Sequence, residues 1–320
     1  MVGRIIGTGS CVPQSVITND DLSQIVDTND EWISSRTGIK ERRIAREETL
    51  ASLGSEAAKN ALENANMKPE DIDLIIVATM SGDHSLPNAA GEIQKEIKAV
   101  NAVCFDLNAA CTGFVFALNT AQAYIKAELA KNVLVIGADV VSKQIDWNDR
   151  STCVLFGDGA GAAVVTADTT GIMGIAAYSD GAKGDVLTCK LRPINNSLRK
   201  DPVDVDYIKM EGQEVFKFAV KKVPESILAV LEQAKVGIEE VDLFVLHQAN
   251  SRILQSVSKR LQVPMEKIPM NLDRFGNTSA ASVPILLDEL NRKGAIKPKD
   301  KIILSGFGGG LTWGSTLIEW

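Results

Sequence analysis

The chain has little of several features that mark other classes of protein. Of its 320 residues, two are histidine and five are cysteine, and no two cysteines form a C-x-x-C pair. These counts exclude a zinc ribbon and disfavour a disulfide framework, so we expect free thiols and no bound metal. Long apolar runs are also missing, because none reaches the roughly 18 residues that a membrane span needs. We therefore expect no membrane contact.

Positive charge is scarce as well. The chain carries 34 Lys and Arg against 41 Asp and Glu, a net charge of −7. Nucleic acids are bound by a basic field, so this balance argues against a nucleic-acid partner. The opening stretch MVGRIIGTGSCVP has too short an apolar run for a signal peptide. We expect a cytoplasmic protein, in which any acidic partner must meet a local basic patch.

What the sequence does contain is an alternation of two patterns. Apolar runs with the length and β-branched content of buried strands lie at 72–79, 102–107, 132–138, 162–167, 241–247 and 301–306. Segments with helical periodicity lie between several of them, at 52–66, 113–129 and 223–235. Alternating strands and helices predict an α/β fold with a mainly parallel sheet and helices on its faces.

Two stretches of the chain are similar to later stretches at nearly the same spacing. Residues 61–79 align without a gap on 230–248, 169 positions further on, and residues 131–140 align on 301–310, 170 positions further on. The shared offset favours a duplicated α/β half with its midpoint near residue 170. The polar segment 180–212, broken by Gly and Pro, is typical of a connection between two halves.

Cys111 lies in DLNAACTGF (106–114), between an apolar run and a helical pattern. A free cysteine is often a buried packing residue, and this interpretation stays open for the residue alone. However, Cys111 follows a predicted strand and opens a helix that begins near Gly113. Backbone amides and the dipole at a helix N-terminus stabilise a thiolate, so we expect a lowered pKa for Cys111. The small neighbours leave space for a substrate carbonyl.

Two polar residues of the second half lie at comparable places. His247 ends the predicted strand 241–247, and Asn277 lies in a Gly-Asn turn before an apolar helix. Each has an ordinary structural explanation, as a hydrogen-bonded histidine or a turn-forming asparagine. In a duplicated fold, however, equivalent strand ends meet near the pseudo-twofold axis. We therefore expect both side chains to face Cys111.

Two glycine-rich stretches remain. FGDGAGAAVVTA (156–167) leads into a predicted strand and not into a helix, which disfavours a dinucleotide site. SGFGGGLTWG (305–314) lacks the Lys-Ser/Thr of a P-loop, so we expect its backbone N–H groups to approach a developing oxyanion. A cysteine nucleophile, a histidine, an asparagine and an amide hole together predict acyl transfer through a thioester.

In order and spacing, these motifs resemble the β-ketoacyl-acyl-carrier-protein synthase III family of the thiolase superfamily. The motifs are DLNAACTGF, FGDGAGAA, LHQAN, RFGNTSAAS and GFGGGLTWG, and the resemblance runs from about residue 3 to residue 320. It includes TNDEWISSRTGIKERR (28–43), which separates this family from elongating synthases and thiolases. The resemblance implies a homodimer with a five-layered αβαβα fold. Each chain would consist of two thiolase-like halves, 1–170 with the cysteine and 171–320 with the histidine and asparagine.

The resemblance also implies an activity, the decarboxylative condensation of an acyl-CoA primer with malonyl-acyl carrier protein at the start of type II fatty-acid synthesis. Cys111 would attack the acyl-CoA thioester, while the N–H groups of Cys111 and Gly309 hold the oxyanion. His247 and Asn277 would donate hydrogen bonds to the enolate that decarboxylation forms. No metal or redox cofactor is expected, because the departing carbon dioxide drives the carbon–carbon bond formation.

Further residues receive roles through the same resemblance. Those implied in CoA binding are Thr28, Trp32, Arg36, Arg150, Gly212, Gln213 and Asn250, with the adenine between Trp32 and Arg150. Those implied in carrier-protein binding are Lys217, Gln248, Arg252, Lys259 and Arg260. Helical spacing over 251–261 supports the last group, since it places Arg252 and Lys259 opposite the apolar face. A half-buried surface tryptophan, a capping arginine and a solvated helix face remain the structural alternatives.

Leu86 and Phe307 are the residues implied in the acyl pocket. Leu86 stands where some family members carry a phenylalanine that limits this pocket from across the dimer, which favours primers longer or more branched than acetyl. Two other activities stay open: a related condensing enzyme of secondary metabolism and a thioester hydrolase with the same cysteine. The complete set Cys111, His247 and Asn277 disfavours a non-catalytic acyl-CoA-binding protein.

Overall fold

Two mixed β-sheets carry the fold, and helices cover their faces. The computed structural model describes residues 1–190, 198 and 206–320. The strands in this part of the chain are β1 (Val2–Cys11), β2 (Val16–Thr18), β3 (Glu41–Arg43), β4 (Leu74–Ala78), β5 (Val103–Leu107), β6 (Asn132–Asp139), β7 (Gly159–Asp168), β8 (Ile172–Ser179), β9 (Leu187–Thr188), β10 (Lys209–Met210), β11 (Leu243–Leu246), β12 (Lys301–Gly308) and β13 (Thr312–Glu319). The helices are α1 (Asn19–Ser23), α2 (Asp30–Thr37), α3 (Leu50–Asn64), α4 (Ala89–Ile97), α5 (Gly113–Lys126), α6 (Arg150–Cys153), α7 (Gly212–Ala234), α8 (Ser251–Leu261), α9 (Leu272–Phe275) and α10 (Ser282–Arg292).

The two main sheets are less parallel than the sequence predicts. The first has the order β1-β7-β6-β4-β5 and the second the order β8-β13-β12-β11. Only β6–β4, β4–β5 and β11–β12 are parallel, whereas the other four neighbouring pairs of these sheets are antiparallel. The prediction of mainly parallel sheets is therefore wrong. Missed strands explain three of the four antiparallel pairs, because glycines and partly exposed residues interrupt the apolar pattern of β1, β8 and β13. The fourth pair, β6–β7, joins two predicted strands whose relative direction the pattern does not determine.

The second sheet repeats the first in order and direction. β1, β7, β6 and β4 correspond to β8, β13, β12 and β11, and each corresponding pair of neighbours runs in the same relative direction. Leu74 begins β4 and Leu243 begins β11, 169 positions later, and their paired residues Val133 and Ile302 are also 169 positions apart. The offset of 170 predicted for 131–140 and 301–310 is therefore one residue too large. The offset of 169 also relates two 3₁₀ turns, Ala110–Thr112 and Ser279–Ala281, which precede α5 and α10. β5 is the extra strand at the edge of the first sheet.

Three groups of buried apolar residues define five layers. Side chains of α3 and α4 pack on the outer face of the first sheet, and those of α7 and α8 pack on the outer face of the second. Between the sheets, α5 and α10 contribute to one shared core. Strand alternation explains the division, since Ile75 faces the outer core and Ile76 the central one. This is the predicted αβαβα architecture. Among the described residues, no helix has both the length and the apolar character needed to cross a bilayer.

Candidate active site

Cys111 lies where the two halves meet, in the 3₁₀ turn that leads into α5. Its side chain is buried, and Sγ donates a hydrogen bond to Oγ of Ser279, in the equivalent turn of the second half, over 3.6 Å. Gly308 packs against it, because a Cβ at that position would lie 2.9 Å from the Cβ and 3.2 Å from the Sγ of Cys111. The absence of a side chain at Gly308 therefore keeps the space beside the sulfur open.

The pKa of Cys111 differs from the sequence prediction. Burial raises it to about 12; the hydrogen bond to Ser279 opposes this effect, and the nearby carboxylate of Asp139 adds to it. The predicted lowering of the pKa is therefore wrong: the helix N-terminus is present, but the sulfur is shielded from water and faces a negative charge. At neutral pH Cys111 is a thiol, so its proton must leave as it attacks.

His247 directly follows β11, as predicted, and its ring is buried. Its backbone N–H donates to the carbonyl of Ser305 over 2.8 Å, and its ring packs edge-on against Phe307 with centroids 5.0 Å apart. Nδ1 has no hydrogen-bond partner among the described residues. Burial lowers the pKa of His247 to about 3. The imidazole is therefore neutral at physiological pH and carries one N–H donor.

Asn277 is fixed by three hydrogen bonds. Its backbone N–H donates to the carbonyl of Leu155 over 2.9 Å, and its carbonyl accepts from Gly157 over 3.0 Å. Its side-chain Oδ1 accepts the N–H of Ser279 over 2.9 Å. Because the oxygen of the amide is used in this way, the NH₂ end is the end that can donate to a ligand.

The three predicted catalytic residues come together. Cys111, His247 and Asn277 line one cavity of about 220 Å³, which Phe307 and Gly308 also line. A second cavity of about 360 Å³ meets the first beside Cys111. Residues of the second cavity include Met80, Asn108, Gln144, Ile208, Gly309 and Thr312. Two spaces thus converge on one sulfur, as a reaction that joins two groups requires.

The predicted adenine clamp is only partly formed. The guanidinium carbons of Arg36 and Arg150 lie 4.7 Å and 5.1 Å from the centroid of the Trp32 ring. An aromatic ring held between Trp32 and Arg150 needs about 7 Å, twice the ~3.5 Å contact distance between carbon atoms. Arg150, which donates to the carbonyl of Asp27 over 2.7 Å, would have to move aside for an adenine to enter.

The other predicted CoA contacts lie in different surroundings. Gly212 and Asn250 line the cavity of Cys111. Asn250 also caps α8, since its Oδ1 accepts the N–H of Arg252 over 2.8 Å. Thr28 is half-buried with a hydroxyl that lacks a partner among the described residues, and Gln213 is exposed at the start of α7.

The side chains predicted to bind a carrier protein are exposed with one exception, Gln248, for which the prediction is wrong. In α8, Arg252, Lys259 and Arg260 are exposed, while the apolar face is buried. Lys217 is exposed as well and pairs with Glu214 over 2.7 Å. Gln248, by contrast, is buried: its Nε2 donates to the carbonyl of Leu246 and its Oε1 accepts from the backbone of Asn271. A carrier protein cannot contact the side chain of Gln248.

The two residues predicted to line the acyl pocket lie in different places. Phe307 is buried and lines the cavity of Cys111. Leu86 is 88% exposed on the surface and lines neither cavity of its own chain. Leu86 can therefore reach an acyl pocket only as a residue of a second subunit.

Sequence reasoning missed three residues that contact the nucleophile or its neighbours. Gly308 lies closer to Cys111 than Gly309 does, although the sequence analysis assigned a role in the glycine run only to Gly309. Ser279 and Asp139 are both buried. Ser279 accepts a hydrogen bond from the thiol, and the charge of Asp139 raises the pKa of the thiol. The duplication could have pointed to two of them. When the halves are aligned at an offset of 169, Ser279 corresponds to Ala110 beside Cys111, and Gly308 corresponds to Asp139. In the part of the chain described by the structure, no group of His, Cys, Asp and Glu side chains could hold a metal ion.

Known proteins similar to this chain point to one family. Two family models match, 3-oxoacyl-[acyl-carrier-protein] synthase III over residues 105–181 and its C-terminal part over residues 231–320. The β-ketoacyl-[acyl-carrier-protein] synthase III of Clostridium acetobutylicum is 52% identical over 99% of this chain and 98% of that protein.

Solved structures agree with the sequence comparisons. The 3-oxoacyl-[acyl-carrier-protein] synthase III of Aquifex aeolicus superimposes with a TM-score of 0.93 at 47% identity, over 99% of this chain and all of that one. The priming β-ketosynthase of the R1128 polyketide pathway gives 0.92 at 36% identity, over 99% of this chain and 96% of that one. This chain therefore belongs to the β-ketoacyl-acyl-carrier-protein synthase III family of acyltransferases, in the thiolase superfamily.

Proposed function

We propose that the chain condenses an acyl-CoA primer with malonyl-acyl carrier protein through an acyl-Cys111 intermediate. The observation that carries this proposal is the cavity in which Cys111 meets His247 and Asn277. A thiol beside a neutral imidazole and an amide suits a thioester followed by an enolate. The proposed chemistry needs no bound cofactor, since the loss of carbon dioxide supplies the carbanion.

In the first step, Cys111 attacks the acyl-CoA thioester. The sulfur–carbonyl bond forms, the carbonyl oxygen gains negative charge, and the CoA sulfur leaves when the tetrahedral intermediate collapses. The backbone N–H groups of Cys111 and Gly309 are the proposed donors to that oxygen. The placement of Gly309 in the second cavity, which Cys111 also lines, supports this role.

In the second step, malonyl-acyl carrier protein replaces CoA. Loss of carbon dioxide leaves an enolate, whose oxygen would accept hydrogen bonds from the neutral ring of His247 and from the NH₂ group of Asn277. The carbanion attacks the acyl carbonyl, and the bond to Cys111 breaks. A neutral histidine suits this step because it donates a hydrogen bond without giving the enolate carbon a proton.

CoA would enter past Trp32, Arg36 and Arg150, and its pantetheine arm would reach the sulfur past Gly212 and Asn250. The carrier protein would dock on the exposed cations Lys217, Arg252, Lys259 and Arg260. Charge complementarity supports this surface. Because the chain has a net charge of −7, an acidic partner would be repelled by most of it and attracted by these exposed cations.

We further propose that the chain forms a homodimer and that its halves divide near residue 170. The outer strand β5 supports the dimer, because its far edge is unpaired among the described residues and Val103 on it is 66% exposed. Leu86, 88% exposed, would then reach the acyl pocket of the partner. The smaller leucine favours branched or longer primers.

We place the enzyme in the cytoplasm at the start of type II fatty-acid synthesis. Its five free cysteines suit a reducing compartment. The 36% identity to a priming β-ketosynthase of polyketide synthesis makes secondary metabolism the second candidate, with the same chemistry and a different acceptor pathway.

The test is a turnover assay with a panel of acyl-CoA primers and malonyl-acyl carrier protein. We expect carbon dioxide, free CoA and a 3-oxoacyl carrier protein from at least one primer, and loss of all three products in Cys111→Ala. Free fatty acid without carbon dioxide would instead identify a thioester hydrolase. Equal use of malonyl-CoA and malonyl-acyl carrier protein would contradict the proposed acceptor.

A further inference from the structure

Arg42 in β3 carries a positive charge that is shielded from water. Its side chain is 0% exposed, and the three hydrogen bonds that it donates to described residues all go to neutral oxygens. Burial lowers the pKa of Arg42 to about 10, so the guanidinium is still charged at neutral pH. A buried charge is costly, and an apolar side chain would fill the same space at lower cost. What the guanidinium holds together therefore has to explain its presence.

One end of the guanidinium is attached to the segment that fixes Asn277. Nη2 of Arg42 donates to the carbonyl of Val154, the residue that ends α6, over 2.8 Å. Immediately after it, the carbonyl of Leu155 accepts the N–H of Asn277 over 2.9 Å, and the N–H of Gly157 donates to the Asn277 carbonyl over 3.0 Å. These two hydrogen bonds, the Asn277 bridge, form an isolated parallel β-bridge. Arg42 is thus bonded to the residue that directly precedes the Asn277 bridge.

The stem of Arg42 also packs against this bridge. A Cβ at Gly157 would lie 3.2 Å from the Cβ of Arg42 and 2.2 Å from the carbonyl oxygen of Phe275. A Cβ at Gly276 would lie 3.4 Å from the Cβ of Arg42 and 2.8 Å from the carbonyl oxygen of Leu155. The two glycines therefore let the backbone on both sides of the bridge approach the arginine closely.

The other end of the guanidinium reaches the nucleotide side of the molecule. Nη1 of Arg42 donates to Oδ1 of Asn19 over 2.9 Å. Nδ2 of Asn19 donates in turn to Oδ1 of Asp30 and to the carbonyl of Ile39, each over 2.8 Å. Asp30 begins α2, the helix that carries Trp32. A planar guanidinium can bond to both sides at once, because its donors point in fixed and different directions.

The duplicated half lacks this frame. Asn108, the counterpart of Asn277, makes the same side-chain contact with the residue two positions on. Its backbone, however, forms no hydrogen bond to another described residue, and its side chain is exposed. The backbone is therefore fixed only in the copy whose amide faces the nucleophile.

We propose that Arg42 is a positioning residue for the condensation: it holds the Asn277 bridge through Val154, so that the NH₂ group of Asn277 is aimed at the enolate oxygen. This inference rests on the proposed function, because an enolate forms only after malonyl-acyl carrier protein has lost carbon dioxide. Arg42 lines neither cavity, so it acts through Asn277 and not on the substrate.

The experiment is a double-mutant cycle on carbon dioxide release from malonyl-acyl carrier protein by enzyme already acylated at Cys111. Its members are wild type, Arg42→Met, Asn277→Ala and the double variant. We expect Arg42→Met to slow release about tenfold in wild type, because a small displacement of the donor weakens its bond to the enolate. In Asn277→Ala the same change should slow release less than about twofold, because the donor is already absent.

Two further measurements separate positioning from a general loss of structure. Acylation of Arg42→Met by saturating acyl-CoA should stay within about threefold of wild type, because Asn277 acts only in the second step. The matched control is Arg292→Met, which removes a guanidinium from the buried carboxylate of Asp288 at the last residue of α10. It should lower the melting temperature and leave carbon dioxide release within about twofold of wild type.

Three results would overturn the role of Arg42. They are release by Arg42→Met within about twofold of wild type, an equal loss in both backgrounds of the cycle, and a loss of acylation as large as the loss of release. If Arg42→Met does not fold, Arg42→Lys, which keeps the charge and loses the planar fork, decides on the same cycle. Wild type that is acylated but releases no carbon dioxide would refute the proposed function instead.

Discussion

The two halves of the molecule carry the same turn at the same place, but only one turn carries a nucleophile. Asn108 in the first half and Asn277 in the second each accept, through Oδ1, the N–H of the residue two positions on, over 3.2 and 2.9 Å. The next positions differ, since Cys111 corresponds to Ala280. The backbone of the turn is therefore a shared scaffold, and a few side chains decide which copy performs chemistry.

The strand end opposite each turn differs as well. Gly308 faces Cys111 and leaves space beside the sulfur, whereas its counterpart Asp139 faces Ala280 and fills that space with a carboxylate. An Asp139 oxygen accepts the N–H of Ala280 over 3.1 Å. By the pseudo-symmetry, this oxygen marks the place where an oxyanion would accept the N–H of Cys111. In the proposed mechanism the first copy would bind a transient negative charge, at the place where the second copy holds the carboxyl group of Asp139.

The largest expected effect comes from closing the space beside the sulfur. In Gly308→Ala the new methyl group would lie 2.9 Å from the Cβ of Cys111 and would have to displace it. We expect acylation to fall about 10³-fold, because nucleophile and carbonyl no longer align. The control is Gly181→Ala, whose new methyl group would meet nothing within 4 Å. Equal rates for the two variants, measured by intact mass, would contradict the role of the open space.

A smaller effect should distinguish Asn277 from Asn108, the equivalent asparagine of the first half. Asn277→Ala removes a donor to the enolate, so we expect acylation to persist and carbon dioxide release to fall about 10²-fold. Asn108→Ala removes only the contact with Ala110, so we expect a loss of about tenfold or less, the equivalent of one hydrogen bond. The measurement is carbon dioxide release from malonyl-acyl carrier protein by pre-acylated enzyme. Equal losses would mean that the second cavity also takes part in decarboxylation.

The smallest effect concerns His247, whose counterpart is Ala78. The folded state lowers the pKa of His247 from 6.5 to about 3, so between these values the unfolded chain binds the additional proton. Stability from the neutral ring is therefore complete above pH 6.5 and declines as the pH falls toward 3. From pH 7 to pH 5, wild type should lose about 2 kcal/mol more unfolding free energy than His247→Gln in urea titrations. Parallel curves for the two proteins would show that the ring is not buried in its neutral form.

Much of this arrangement could be predicted from the sequence. The six apolar runs all contain strands of the two sheets, and the offset that relates 61–79 to 230–248 also relates β4 to β11. Cys111 and His247 could be assigned to one site because each follows a strand end, and strand ends are fixed by local patterns. Asn277 could be added because its Gly-Asn turn precedes an apolar helix, as the Cys111 turn does. A duplicated fold then brings such ends together.

What could not be predicted depends on contacts between distant segments. The helix N-terminus at Cys111 suggests a lowered pKa, but burial between the sheets and the charge of Asp139 raise it. Gln248 lies next to a predicted binding helix, yet its amide is used by the backbone of Leu246 and Asn271. In the sequence, Ser279 is one of several small residues in a turn. Only the fold brings its hydroxyl to 3.6 Å from the sulfur of Cys111, which lies 168 residues earlier in the chain.

The claim that a single sulfur serves both cavities can be tested by locating the acyl group after incubation with a primer CoA, by peptide mass mapping. The account predicts one acyl mass per chain, carried by the peptide that contains Cys111, and its removal when malonyl-acyl carrier protein is added. An acyl group on Cys11, Cys104, Cys153 or Cys189, or one that malonyl-acyl carrier protein fails to discharge, would contradict it.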